Sequence, residues 1–265
     1  MTRSFGWDAN LYEDASTVQQ KWGIALMESR AWRGDEHVLD AGCGTGLVTE
    51  ELVKRVPNGH VVAVDNDPMM VEKAVPRLGR YSGRVEALAA DVLALPSIGP
   101  FDVIFSNAVF HWVQDHDKLF LELFRHLKPG GELLAQCGGE GNLEKVRTVT
   151  EGIRQEAAFA PFFRGWNAPW NYQDDASTTE RLFISGFVPA DASLKAAPVT
   201  FPDDETFARF ANAVILRPYL GALPTPQLRG ELLGRFLERM DQAGHGRTLD
   251  YVRLTIRAQR PPHVS

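Results

Sequence analysis

The sequence predicts an α/β fold, a parallel sheet with helices on both faces. Three observations carry that expectation. Apolar runs of strand length alternate with helical patterns through residue 138. The second run, "HVVAVD", is almost continuously apolar, as a strand covered on both faces must be. The first run, "HVLDAG", leads directly into "GCGTG", a glycine turn at the junction of a strand and a helix.

Each element has its own signal. Val18, Trp22, Ala25, Leu26 and Ser29 recur at helical spacing, so residues 16–31 read as a helix. The first strand follows, then a helix over 45–55 and the second strand at 60–65. Asp67 and Pro68 open the next helix, as cap and first-position proline. "RVEALAAD" (84–91) and "FDVIFSNA" (101–108) are the third and fourth strands. Phe120, Leu123, Phe124 and Leu127 make an apolar face over 115–127. "KPGG" ends that helix, and "ELLAQCG" (132–138) is the fifth strand. Beyond Gly139 the texture turns helical, with helices expected at 143–158, 176–185, 204–216 and 226–240, and strands at 191–200 and 249–258. This half reads as completion of the sheet plus a helical insertion, and "PPHVS" as a frayed tail.

Composition bounds the function. The chain has 265 residues and a formal charge of −6. That balance disfavours nucleic acid, whose binding relies on Lys and Arg neutralising phosphates. No apolar run reaches the roughly 18 residues of a membrane span, and the N-terminus lacks a signal-peptide core, so residence in the cytoplasm is expected. Cys43 and Cys137 form no metal or redox spacing, and no metal site is expected.

The glycine loop reads as a nucleotide-type site. Gly42, Gly44 and Gly46 free the backbone to approach a ligand, and the helix start behind them offers unpaired N–H groups. The spacing is GxGxG, with Leu47 where a dinucleotide fingerprint has its third glycine. No lysine of the phosphate-loop type follows. Asp65 ends the second strand, where a carboxylate can accept from both ribose hydroxyls. Asp40, just before the loop, would repel pyrophosphate and favour a sulfonium or ammonium cation. That combination points to S-adenosylmethionine. A nicotinamide-dependent oxidoreductase is the rival from another class.

"VLDAGCGTG", "VVAVDNDP", "AADVLALP", "FDVIFSNAVFHWV" and "LKPGGELLA" together resemble the class I S-adenosylmethionine-dependent methyltransferases, over about residues 5–140. The resemblance implies a Rossmann-like, mostly parallel sheet of seven strands with the last antiparallel. It implies one methyltransferase domain over 1–265, comprising a cofactor-covering segment (1–35), a cofactor-binding core (36–139), a substrate-shaping region with a helical insertion (140–248) and a last strand (249–260). It assigns Gly42, Gly44 and Gly46 to the methionine and ribose, Asp65 to the ribose hydroxyls, Asp91 and Val92 to the adenine, and Asn107 to the methionine end, with Asn66 a further cofactor contact. "WDANLYED", "SNAVFHWVQDHDKLF", "CGGEGN", "LRPYL" and "DYVRLTIRA" are similar to the trans-aconitate and juvenile hormone acid methyltransferase subgroup. That similarity places Tyr12 and Gln19 near the methyl group. It implies a small-molecule acceptor, with a carboxylate oxygen favoured over a phenol, amine or carbon. A monomer or weak homodimer is expected.

The acceptor side is read from residue chemistry. His111 is a candidate base or donor to the acceptor, with packing at a strand end as its alternative. Trp112 either lines the acceptor or joins the core. Asp115, His116 and Asp117 fit a capped, solvent-exposed helix start better than a metal cluster. "FAPFFRGWNAPWNY" is dense in rings, with Trp166 and Trp170 as acceptor contacts in a pocket or lid, or else a hydrophobic seam. Arg164 and Arg217 are candidate anchors for an acidic substrate.

Overall fold

The computed structural model describes residues 17–262. Helix α1 (Thr17–Glu28) precedes β1 (His37–Ala41), α2 (Leu47–Arg55), β2 (His60–Asp65) and α3 (Pro68–Leu78). Then come β3 (Val85–Ala89), β4 (Phe101–Asn107), α4 (His116–His126) and β5 (Leu127–Gly138). The later elements are α5 (Glu144–Arg154), α6 (Asp175–Ile184), β6 (Ala190–Ala196), β7 (Val199–Thr200), α7 (Asp204–Phe210), α8 (Arg217–Leu220), α9 (Pro226–Gln242), β8 (Thr248–Leu249) and β9 (Val252–Gln259).

A seven-stranded sheet runs β3-β2-β1-β4-β5-β9-β6. Strands β1 to β5 pair in parallel, and β9 pairs antiparallel with β5. This is the mostly parallel sheet expected from the sequence. Its strands bury alternate residues on opposite faces, as the two-residue strand period requires. Leu39, Val62, Ile104 and Leu133 pack with Leu119, Phe120 and Leu123 of α4 and Leu182 of α6. Val38, Val61, Val103 and Leu134 pack with Leu26 and Met27 of α1 and Leu52 and Val53 of α2. Asp67 caps α3 by accepting from the Met69 N–H, as its place before Pro68 predicts.

The chain divides into two compact units. Of the described residues, the sheet unit holds 17–140, 170–195 and 253–262, and the helical unit holds 141–169 and 196–252. In the helical unit α5 packs on α9. Its core includes Val146, Ile153, Phe159, Phe207, Phe236 and Met240, all buried. β7 and β8 pair there as a separate two-stranded sheet.

Five local expectations change. The strand expected over 249–258 starts at Val252, and Leu249 pairs in the separate two-stranded sheet as part of β8. β5 begins at Leu127, because the turn at "KPGG" hydrogen-bonds to Arg260 while the pairing with β4 skips from Leu127 to Glu132 as a bulge. The strand expected over 191–200 is two strands, β6 and β7, belonging to different sheets. The helix expected over 204–216 is α-helical only to Phe210 and continues as a π-turn over Ala211–Ile215. The expected helix over 143–158 stops at Arg154.

Candidate functional site

The glycine loop sits at the carboxyl end of β1, and each glycine has a different reason to be there. Gly42 has φ +95°, and a Cβ on it would lie 2.1 Å from Val109 Cγ2. Gly44 has φ +54°, and a Cβ there would meet nothing within 4 Å. The backbone is thus tightly packed from below at Gly42 and open at Gly44. Gly46, also left-handed, precedes α2. The N–H groups of Gly42 and Cys43 both donate to Val64 O, tying the loop to β2.

Asp65 closes the loop from the side. Its Oδ2 accepts from the Gly44 N–H at 2.9 Å and its Oδ1 from the Asp67 N–H at 3.0 Å. Burial raises its pKa against the opposing pull of these bonds. Asp40 is different. It is buried, accepts from the Thr49 hydroxyl at 2.7 Å, and its pKa is pushed up to about 7, first by desolvation and also by the neighbouring charge of Asp65. It lies under the loop as part of its support.

Because β3, β2, β1 and β4 are adjacent, the residues at their carboxyl ends line one edge of the sheet, where such folds bind ligands. Asn66 is exposed there. Asp91 is exposed, with Oδ1 accepting from the Leu93 N–H, and Val92 is buried. Asn107 ends β4 and donates through Nδ2 to Gln19 O of α1 at 2.9 Å. The side-chain oxygens Asn107 Oδ1 and Gln19 Oε1 are both buried and find no partner among the described residues. Two orphaned acceptors on a pair of residues already joined by a hydrogen bond call for a donor. Tyr12 lies outside the described residues.

His111 follows β4 in a short 3₁₀ turn, Phe110–Trp112. It is buried, and its Nδ1 accepts from the Gly138 N–H at 3.3 Å. That bond leaves the proton on Nε2. Burial first, then the charges of Arg253 and His116, lower its pKa to about 3. His111 is therefore a neutral ring with one N–H to donate. It stacks on Tyr172 at 5.8 Å and touches Trp112 at 4.9 Å, and Tyr172 stacks on Trp170 at 6.2 Å. His111, Trp112 and Trp170 are thus brought together through Tyr172.

Trp166 and Arg217 belong to the helical unit. Trp166 stacks on Tyr219 at 5.0 Å, with the Arg154 guanidinium 4.8 Å from its ring centre. Arg217 starts α8 and is half-buried, whereas Arg164 is exposed. The ring-rich stretch is therefore divided, with Phe159 and Phe163 in the helical core and Trp170 and Tyr172 beside His111. At the start of α4, Asp115 caps the helix by accepting from the Lys118 N–H. His116 is not solvent-exposed as the sequence suggested. It is buried, and its Nε2 bonds to Phe110 O at 2.9 Å, which fixes the 3₁₀ turn ahead of it. Among the described residues no cluster of His, Cys, Asp and Glu could hold a metal.

Sequence reasoning missed Arg253, Gln136 and Trp22. Arg253 is only 4% exposed, its Nε–H points to Gln136 Oε1 at 3.4 Å, and its Cζ lies 4.3 Å from the Trp22 ring centre. The chain gave little signal for Arg253, since by strand alternation it shares a face with Thr255 and Arg257, opposite Leu254, Ile256 and Ala258, and only its burial in the fold sets it apart.

Comparisons with known proteins bear on the family and the fold. Residues 38–131 match a family described as a methyltransferase domain. A trans-aconitate 2-methyltransferase of Rhizobium meliloti is 32% identical over 77% of this chain and 77% of its own. Another, from Deinococcus radiodurans, is 28% identical over 96% of this chain and 92% of its own. A phosphoethanolamine N-methyltransferase 2 of Haemonchus contortus, solved with S-adenosylhomocysteine, superposes with a TM-score of 0.62 at 18% identity, over 96% of this chain and 57% of that one.

Proposed function

Since the chain belongs to the class I S-adenosylmethionine-dependent methyltransferases, in the trans-aconitate methyltransferase group, we propose that it methylates a carboxylate oxygen of a small organic acid. The observation that carries the choice of acceptor is the state of His111. Its Nδ1 is already engaged by Gly138 and its ring is held neutral. A phenol, with a pKa of about 10, would need a base to remove its proton; a carboxylic acid, with a pKa of about 4, arrives ionised. The two relatives compared above are named for trans-aconitate, which is consistent with that chemistry.

The cofactor supplies an electrophilic methyl on a sulfonium. Everything else falls to the chain. Gly44 would let the ligand approach the backbone, and Asp65 is assigned to the ribose hydroxyls, with Asn66 beside it in the chain. Asp91 and Val92 are assigned to the adenine. Asn107 Oδ1 and Gln19 Oε1, orphaned and buried, fit the donors of the methionine end. Trp112 and Trp170, with His111, are assigned to the acceptor side, as are Trp166 and Arg217 of the helical unit. Positioning an ionised oxygen in line with the S–CH3 bond is worth on the order of 7–11 kcal/mol in well-oriented cases. We further read the protein as cytoplasmic, a monomer or weak homodimer, and without nucleic-acid or membrane partners. No described helix is long and apolar enough to cross a membrane.

The test supplies methyl-labelled S-adenosylmethionine and trans-aconitate, then treats the product with mild alkali. Release of the label as volatile methanol is the expected outcome, since an ester hydrolyses. Label that stays fixed in alkali would mean an ether, amine or carbon-bound methyl and would overturn the carboxylate reading.

A further inference from the structure

We infer that Arg253 is a specificity-determining residue that binds a carboxylate group of the methyl acceptor, with the His111 Nε2–H as a second donor. The inference rests on the reading of the protein as a carboxylate methyltransferase and names the residues that would make it one.

Arg253 lies on β9 directly opposite Gly138 of β5. Gly138 is the residue whose N–H holds His111 Nδ1. Its neighbour Gln136, which receives the Arg253 Nε–H, pairs with Asn107 of β4. Asn107 in turn holds Gln19 of α1, and Trp22 on the next turn of α1 covers the guanidinium. Arg253, His111 and Asn107 therefore belong to one buried polar group at the carboxyl ends of β4 and β5. The group adjoins the glycine loop, because Val109 packs under Gly42 between Asn107 and His111 in the chain.

A guanidinium that cannot shed its proton is costly to bury, and interiors keep one where an anion or a π-face answers it. Its planar fork of N–H donors matches a carboxylate in two parallel bonds, which a lysine cannot reproduce. The neighbouring histidine is in the complementary state. With Nδ1 accepting from the backbone, Nε2 offers a hydrogen. The positive charge of Arg253 also helps keep that ring neutral. A cation and a neutral donor thus stand together where an anionic acceptor would have to lie.

The decisive experiment loads the protein with S-adenosylhomocysteine and titrates it with trans-aconitate by calorimetry. The neutral trimethyl ester serves as control. In the native protein the acid should bind and the ester should not. In R253Q the acid affinity should fall by roughly 30-fold or more, and in R253K by a smaller factor, since charge without the fork restores part of the contact. The S-adenosylhomocysteine affinity of both variants should stay within about threefold of native. R253K keeps the buried charge and remains informative if R253Q does not fold. Acid affinity unchanged in both variants would overturn the inference. So would a parallel loss of acid and S-adenosylhomocysteine binding, which would make Arg253 a strut under α1. Native protein that binds S-adenosylhomocysteine but not the acid also overturns it. Native protein that does not bind S-adenosylhomocysteine overturns the cofactor assignment instead.

Discussion

At the scale of single residues, the loop separates strain from ligand contact. G42A forces a Cβ into Val109 from a left-handed backbone. It should cost about 2–5 kcal/mol, combining left-handed strain with overpacking, and thermal denaturation would show it. G44A meets no neighbour, so its stability loss should be limited to about 1–2 kcal/mol of backbone strain. Its larger effect should be on S-adenosylmethionine affinity, because that face of the loop is open. Asp65 offers a third contrast. D65A removes charge-assisted hydrogen bonds worth about 1.5–3 kcal/mol, so cofactor affinity should drop roughly ten- to a hundredfold. A folded D65A variant with native affinity would displace the ribose from this position.

At the scale of elements, caps and pairings decide where the site's parts are held. Asp115 caps α4, and the helix in turn places His116 against Phe110 O, so the 3₁₀ turn carrying His111 is braced from behind. D115A should lower stability by about 1 kcal/mol. Methyl transfer per folded molecule should be unchanged, because Asp115 acts as the cap of α4. A chelator-sensitive activity abolished by D115A would reverse that assignment. α1 matters in the same way. A Cβ on Gly23 would lie 3.1 Å from Asn107 Nδ2, so the helix lies directly against the end of β4.

At the scale of the whole molecule, two buried groups pull stability in opposite directions with pH. Asp40 has its folded pKa raised from 3.8 to about 7. Its contribution is full below the unfolded value and is lost as pH rises through about 7. His111 has its folded pKa lowered from 6.5 to about 3, so its contribution is full above 6.5 and is lost as pH falls through about 3. Between about pH 4 and 6.5 the two slopes, each up to about 1.4 kcal/mol per pH unit, oppose one another. Melting the cofactor-free protein across pH 4.5–8 tests this. D40N should show stability rising with pH up to about 7 relative to native. H111N should show the reverse, a relative decline up to about pH 6.5. Parallel curves for all three proteins would mean that neither group is buried in the state described.

By itself the sequence determined the parallel sheet, the glycine loop and the carboxylate at the end of β2. These are local statements. An apolar run, a turn that needs glycine and a capping aspartate are each written within a few neighbouring positions. Tertiary structure alone decided the partners of His111 and of Arg253. Their neighbours, Gly138, Gln136 and Trp22, come from β5 and α1, and β9 lies between β5 and β6 although it comes last in the chain. The same holds for the ring-rich stretch around Trp166 and Trp170, whose halves pack in different units. Hydrogen bonding and desolvation depend on who lies across the sheet, and no local pattern in the chain encodes that.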